Sequence, residues 1–330
     1  MYTKFFGLRE EPFRLTPDPK FLHLAEPHRT ALGILLEGIM ARKGLLVLCG
    51  PIGTGKTTLM NSALYILEEY AALKDTLKTA FLVNPTLSRE EFLEAVLDEF
   101  EVACPSTSKP HRLGALHQML LAIQQQGGTT VLVIDEAHLL TPDMLEEIRL
   151  LSNIDSYQEK LLQIVLSGQP ELHIQLRHPN MRALRQRIAA SCHLRPLSLV
   201  EARVYVTERL HMAGLQSDSP FRDTVLEQVF AYTCGVPRLI NLLCDSALSI
   251  ASSQKKLFVD FSMIEEAAQQ LDLITEHIEA ATLAGWRSKQ DLQQSHSAKL
   301  EQTTVPRMED TAVDRLIRGF NRKLRAGIIS

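Results

Sequence analysis

The amino-acid sequence predicts an α/β fold: a parallel five-stranded sheet followed by a small all-helical domain. Short unbroken apolar segments alternate with amphipathic helical segments up to Pro196, a pattern typical of a parallel sheet with helices on both faces. Beyond Pro196 the pattern indicates helices alone. We therefore expect an α/β core over residues 1–197, a helical lid over 198–273 and a C-terminal tail over 274–330.

A glycine-rich stretch between the first strand and its helix gives the strongest local signal. It reads Gly50-Pro51-Ile52-Gly53-Thr54-Gly55-Lys56-Thr57, which fits G-x-x-x-x-G-K-[ST], and Thr58 follows it. In such a loop, backbone N–H groups and the N-terminus of the next helix surround a phosphate. Lys56 is expected to reach the β- and γ-phosphates, and the Thr57 hydroxyl to hold Mg²⁺. The stretch predicts a P-loop NTPase with ATP and Mg²⁺ as cofactors.

Two adjacent carboxylates follow the apolar run 131–134. The carboxyl end of a buried parallel strand delivers its side chains to the edge of the sheet where the phosphate loop lies. Asp135 is expected to complete the Mg²⁺ coordination, and Glu136 to polarise the attacking water. Residues 135–138 also spell D-E-A-H, a string that in isolation suggests a helicase. The helicases that carry it need a second large domain, which the rest of this sequence lacks.

A polar residue follows the next predicted strand. Gln169 comes after residues 161–166, and the expected strand order places it between the carboxylates and the phosphate loop. We expect it to hold the lytic water or the γ-phosphate. A polar turn residue without a catalytic role is the alternative.

Residues 177–195 are rich in arginine. An arginine at the end of the last core helix, predicted over 181–188, could project into the nucleotide site of a neighbouring subunit and stabilise charge on the γ-phosphate. Arg187 is our candidate, with Arg185 or Arg182 as the alternatives. A basic helix face that is merely solvated is the simpler interpretation.

Composition limits the class of protein, its partners and its location. The net charge of −4 gives no global sign of a nucleic-acid partner. The five cysteines contain no C-x-x-C pair, which favours buried thiols in a reducing compartment. We see neither a signal peptide nor an apolar run long enough to span a membrane. The cytoplasm is therefore the expected location.

Several motifs together resemble the ExeA-type AAA+ ATPases, the general secretion pathway protein A family. The resemblance covers about residues 1–270 and includes the stretches 2–22, 53–58, 149–153, 168–172, 186–188 and 235–241. It implies that Asp135 and Glu136 form the Walker B pair, that Gln169 is sensor 1 and that Arg187 is the finger. It further implies that Arg238, in the turn Gly235-Val236-Pro237-Arg238, is a sensor 2 arginine that reaches the γ-phosphate from the lid.

The resemblance implies Mg-dependent ATP hydrolysis by an oligomer, a ring or a filament, that remodels or recruits a partner in secretion or envelope assembly. ExeA-type proteins usually continue into a membrane span and a periplasmic region, whereas no stretch in 271–330 could span, so the client stays open. The alternative is an ATP-gated DNA-binding adaptor, as in transposition or replication initiation.

We make separate predictions for the N-terminal and the C-terminal segments. Residues 1–30, aromatic and rich in proline, are expected to pack over the adenine end of the nucleotide pocket or simply to clasp the core. Near the other end, a polar linker over 287–312 precedes a basic amphipathic helix from Val313 to Arg325. That helix could fold back on its own subunit, bind a partner protein, contact the inner membrane peripherally or bind nucleic acid.

Overall fold

The computed structural model of the chain describes residues 2–15, 25–70, 76–83, 87–156, 159–273 and 312–325. Within these residues five strands form one all-parallel sheet in the order β2-β3-β4-β1-β5. The strands are β1 (Leu45–Cys49), β2 (Leu77–Leu82), β3 (Thr129–Ile134), β4 (Leu162–Gly168) and β5 (Ile188–His193). The predicted α/β fold is confirmed. The predicted polar linker lies outside the described residues.

Burial explains why the central strands are apolar runs. Every residue of β1, β3 and β4 is buried, because helices cover both faces of the sheet. The edge strands β2 and β5 are only partly buried. The short helix α1 (Tyr2–Phe5) starts the chain. The helices of the core are α2 (Glu26–Met40), α3 (Lys56–Glu68), α4 (Arg89–Glu99), α5 (Lys109–Gln125), α6 (Pro142–Leu151), α7 (Pro170–Arg177) and α8 (Arg182–Arg185).

The core helices divide between the two faces of the sheet. One face packs against α2 and α3. The opposite face packs against α4 to α8. Ser88 starts α4 through a capping box with Glu91, as the sequence predicts. Each face has its own apolar cluster, and the carboxyl edge of the sheet between them is left for polar side chains.

A third apolar cluster forms the helical region that follows the core. Its helices are α9 (Leu199–Met212), α10 (Asp223–Thr233), α11 (Pro237–Ser253) and α12 (Phe261–Gln270). The predicted capping box at Ser198 and Glu201 starts α9. At the turn before α11, Gly235 approaches Leu197 so closely that the two residues share a backbone hydrogen bond of 2.9 Å.

The N-terminal segment packs on the helical region, whereas the sequence assigns it to the α/β core. Phe6 and Phe13 are buried in the helical cluster. The Arg209 guanidinium of α9 donates to the Pro12 carbonyl at 2.6 Å, and the Arg9 backbone N–H donates to the Ala213 carbonyl at 2.8 Å. The physical reason is that the aromatic side chains of residues 2–13 complete a small core that four helices alone leave open.

The last described helix, α13 (Ala312–Arg325), folds back on the core. Ile317 and Phe320 are buried against α2 and α3, and the Phe320 ring lies 5.9 Å from that of Tyr65. The intramolecular alternative for this segment is thus the arrangement observed. Arginines occupy its exposed side: Arg315, Arg318 and Arg322. In the described part of the chain, no helix combines the length and the apolar character needed to cross a membrane.

Candidate nucleotide-binding site

The phosphate loop starts where β1 ends, and it runs directly into α3. The Gly50 backbone N–H donates to the Gly168 carbonyl at 3.1 Å, which anchors the loop beside the end of β4. Gly53 has a φ of 76°, and a Cβ there would lie 2.8 Å from the Cβ of Arg238. Only glycine fits this close approach without strain. Pro51 to Gly55 complete the loop, and Lys56, Thr57 and Thr58 form the first turn of α3, a helix of 13 residues whose N-terminus is a suitable anion-binding element.

Lys56 is buried at the first position of α3, and its ammonium group lies across the loop. Its Nζ donates to the Gly50 carbonyl at 2.8 Å and to the Pro51 carbonyl at 3.1 Å. Burial lowers the pKa of Lys56, while the carboxylates of Glu136 and Asp135 act in the opposite direction. A phosphate at this position would favour the charged lysine further, so the geometry fits the role predicted for it.

Asp135 joins three segments at the carboxyl edge of the sheet. Its Oδ2 accepts from the Thr57 hydroxyl at 2.7 Å, and its Oδ1 accepts from the Ser167 hydroxyl at 2.7 Å and the Glu136 backbone N–H at 2.9 Å. A carboxylate and a threonine hydroxyl are the hard oxygen donors that Mg²⁺ takes together with phosphate oxygens. The arrangement fits a magnesium site at Thr57 and Asp135.

Sequence reasoning missed Ser167. The residue is fully buried, and its hydroxyl fixes the Asp135 carboxylate from the neighbouring strand β4. The available signal was a hydroxyl at the end of a strand that is mostly apolar. Such a residue needs a partner when it is buried, and the strand order supplies it.

Glu136 follows Asp135 in an unusual backbone conformation. Its φ of 50° lies in the left-handed region, which costs a non-glycine residue about 1–3 kcal/mol and is found mostly at functional sites. Its Oε2 lies 3.3 Å from Nδ1 of His138, and 38% of its side chain is exposed. The turn thus places the carboxylate beside the imidazole of His138 at the carboxyl edge of the sheet.

Gln169 follows β4, the strand that lies between β3 and β1, as the sequence predicts. Its amide Nε2 lies 3.0 Å from Nε2 of His138. The structure thereby brings Gln169 and Glu136 to the same imidazole. The predicted role at the γ-phosphate stays a prediction.

Arg238 lies against the phosphate loop. Its backbone N–H donates to the Gly53 carbonyl at 3.2 Å, and its side chain is exposed at the start of α11. The lid and the loop are therefore in contact at the position that the resemblance predicts. The reach of the guanidinium to a γ-phosphate stays a prediction.

Arg187 lies at the amino end of the strands, opposite the carboxyl edge where the phosphate loop lies. The predicted helix over 181–188 is shorter than expected, because α8 ends at Arg185 and the chain becomes extended at Ile188 for β5. Since Ile188 pairs with Leu45 at the start of β1, the length of β1 separates Arg187 from its own phosphate loop by roughly 16 Å. Arg187 thus lies far from the nucleotide of its own subunit.

The two alternatives to Arg187 differ in their surroundings. The Arg185 guanidinium donates to the carbonyl of Arg177 at 3.0 Å, so it is engaged within its own subunit. Arg182 is exposed at the start of α8.

His28 supports the loop from behind, and sequence reasoning missed it. Its Nε2 lies 2.8 Å from the Thr54 carbonyl. Burial lowers the pKa of His28, so the imidazole is neutral and donates through Nε2–H. In the sequence, its position on the apolar face of α2, one turn before Leu32, indicates a buried histidine that needs a hydrogen-bond partner.

The comparisons with known proteins agree with this geometry. A protein-family profile described as an AAA domain matches residues 39–176. General secretion pathway protein A of Aeromonas hydrophila is 40% identical over 267 residues, which are 80% of this chain and 48% of that protein. The chain therefore spans about half the length of this relative.

Solved structures share the fold at low identity. Drosophila ORC bound to DNA has a TM-score of 0.63 and 17% identity, and the match covers 99% of this chain and 80% of that one. The Aeropyrum pernix ORC2 protein, in ADPNP–ADP complexes, has a TM-score of 0.59 and 16% identity, with 97% and 99% covered.

The sheet, the phosphate loop and the Asp135–Glu136 pair define a P-loop fold of the AAA+ class, and the AAA-domain profile and the relative are similar to this chain over that region. Within the class, the chain is related to the ExeA type, that is, to general secretion pathway protein A. The resemblance predicted from the motifs is confirmed.

Proposed function

We propose that the chain is a Mg-dependent ATP hydrolase that works as an oligomer on a partner protein in secretion or envelope assembly. One observation carries the catalytic part. Asp135 is hydrogen-bonded to Thr57 of the phosphate loop, and Glu136 follows it at the same edge of the sheet. The residues proposed for phosphate binding, for the metal and for the base thus lie around the Asp135 carboxylate.

Hydrolysis requires a water to attack the γ-phosphorus while the bond to the β–γ bridging oxygen breaks, with the electron pair leaving on ADP. Lys56 stabilises the β- and γ-phosphate oxygens. Glu136 accepts the proton of the attacking water, and Gln169 orients that water or the γ-phosphate. Thr57 and Asp135 would hold Mg²⁺, which would neutralise charge at the phosphates. Arg238 adds a cation from the lid.

Phosphate release by Asp135→Asn protein tests this assignment. The exchange keeps the shape of the side chain but removes the negative charge, so turnover should fall by at least about 100-fold, which is within the range that single electrostatic groups contribute. Asp155→Asn, at an exposed ion pair with Lys160, is the matched control and should keep the wild-type rate. Equal rates for both variants would contradict a metal site at Asp135.

We also propose that the site is shared between subunits. The position of Arg187 at the far edge of the sheet supports this, because the residue cannot serve its own nucleotide and is available to a neighbour. Arg187→Ala should lose activity, and mixing it with Lys56→Ala should restore part of it. Rescue at no mixing ratio would count against Arg187, and the same experiment with Arg182→Ala or Arg185→Ala would identify another finger.

The client is proposed from the relative alone, whose name refers to secretion. The second candidate, an ATP-gated DNA-binding adaptor, is supported by the shared fold with Drosophila ORC, which is bound to DNA in its structure. A filter-binding assay with duplex DNA separates the two. Retention that needs ATP and weakens steeply with salt favours the adaptor, whereas no retention favours a protein client.

Peripheral membrane contact through α13 is the remaining proposal for the tail. The burial of Ile317 and Phe320 means that the apolar face must leave α2 and α3 before it can enter a bilayer. Cosedimentation with anionic vesicles tests it. Binding by the wild type that is lost in Phe320→Ser supports insertion, and no binding contradicts it.

A further inference from the structure

A short chain of side chains connects Gln169 to Glu136, and His138 is its middle member. Nδ1 of His138 lies 3.3 Å from Glu136 Oε2, and Nε2 lies 3.0 Å from the Gln169 amide nitrogen. The imidazole is largely buried, with 11% of its side chain exposed. The Gln169 backbone N–H also donates to Nδ1, at 3.5 Å.

The Glu136 contact and the Gln169 amide suit one tautomer of His138. A carboxylate can only accept a hydrogen bond, so in this tautomer Nδ1 carries the proton and faces Glu136. Nε2 is then the acceptor for the Gln169 amide. The Gln169 backbone N–H at Nδ1 suits the other tautomer.

The turn that carries His138 is anchored separately from the imidazole. The Gln175 amide of α7 donates to the His138 carbonyl at 3.0 Å, and residues 137–139 form a single turn of 3₁₀-helix. The imidazole itself contacts Glu136 and Gln169.

We propose that His138 is a positioning residue that couples Gln169 to Glu136, an inference that rests on the proposed function. It holds one carboxylate oxygen of Glu136 and leaves the other for the attacking water. When Gln169 turns toward the γ-phosphate, its amide leaves Nε2 of His138, and the constraint on Glu136 changes with it. The state of the nucleotide is thereby transmitted to the general base through one imidazole.

His138→Ala tests the coupling by its effect on kcat and KM. Orientation of the base affects the chemical step alone, so kcat should fall by about 10- to 100-fold, a part of what general-base catalysis contributes. The KM for ATP and the Kd for a fluorescent ATP analogue should stay within about twofold. His138→Asn should regain most of kcat, since its amide can donate from nearly the position of Nδ1.

A matched control separates positioning from a disturbed turn. Gln175→Ala removes the hydrogen bond to the His138 backbone and leaves the imidazole in place. It should keep kcat within about threefold of the wild type. An equal loss in Gln175→Ala and His138→Ala would assign the effect to the turn and overturn the proposal.

The link to Gln169 is tested by a double-mutant cycle. His138→Ala should reduce kcat much less in a Gln169→Ala background than in the wild type, and two effects that multiply in full would overturn the coupling. The failures are distinguishable. A wild-type protein that releases no phosphate would contradict the proposed function, whereas an active wild type matched by His138→Ala would contradict this inference alone.

Discussion

The backbone N–H of Arg238 donates to the carbonyl of Gly53 at 3.2 Å, so the helical region meets the phosphate loop main chain to main chain. The contact is possible because Gly53 has no Cβ, which would lie 2.8 Å from the Cβ of Arg238. A nucleotide held by the loop is therefore next to the first turn of α11. Movement of the lid would displace or break this contact with the loop.

Arg238→Ala should reduce ATP turnover while leaving the fold intact. The exchange retains the backbone contact and removes only the cation, so we expect kcat to fall by at least about tenfold, consistent with the loss of one charge-stabilising group. Steady-state phosphate release measures it. Arg222→Ala is the control, because that guanidinium lies over the Phe258 ring. An Arg238→Ala rate equal to the control would remove Arg238 from the site.

Gly235→Ala should destabilise the junction between core and lid. A Cβ at Gly235 would lie 1.9 Å from the Leu197 carbonyl oxygen, and its φ of 75° is itself unfavourable for alanine. The strain alone amounts to about 1–3 kcal/mol, so the free energy of unfolding should fall by at least that much in denaturant titrations. Gly33→Ala, in open space within α2, should instead gain up to about 1 kcal/mol. Similar values for the two variants would contradict the close approach.

The Arg195–Glu201 pair makes the start of α9 sensitive to acid. The Arg195 guanidinium, with Ser198, lowers the pKa of Glu201 to about 2. A carboxylate with a depressed folded-state pKa contributes stability above its unfolded value of about 4.3 and loses it as the pH falls toward 2. Between pH 6 and pH 3 the wild type should therefore lose more stability than Glu201→Gln. Glu227→Gln, at the Arg203 pair of the lid, should follow the wild type, and a Glu201→Gln curve parallel to the wild type would refute the linkage.

Phe320 should hold α13 on the core. Its ring packs beside Tyr65 and is only 5% exposed. Phe320→Ala removes this packing, so amide hydrogens of α13 should exchange at least about tenfold faster, as docking is lost before the core unfolds. Arg322→Ala, on the exposed side of α13, should leave the exchange unchanged. Equal protection in the two variants would mean that Phe320 does not hold the helix.

The pattern of the sequence predicts the sheet, the phosphate loop and the capped helices well, because each depends on local features. Apolar runs mark strands buried on both faces, as in β3, and Ser88 and Ser198 mark the helix starts. Contacts between distant segments carry no such local mark. The hydrogen bonds of Ser167 to Asp135 and of His28 to Thr54 follow from strand order and helix placement. The docking of residues 2–13 on the lid is likewise a tertiary event.

Glu136 is proposed as the general base of an ATP hydrolase, and Glu136→Gln removes that function with the least change of shape. Glutamine keeps the size of the side chain and cannot take a proton, so the change should spare binding and stop the chemical step. ATP binding and single-turnover hydrolysis are measured on the same preparation. The ATP affinity should stay within about twofold of the wild type, and the hydrolysis rate should fall by at least about 100-fold. Hydrolysis at the wild-type rate by Glu136→Gln would contradict it.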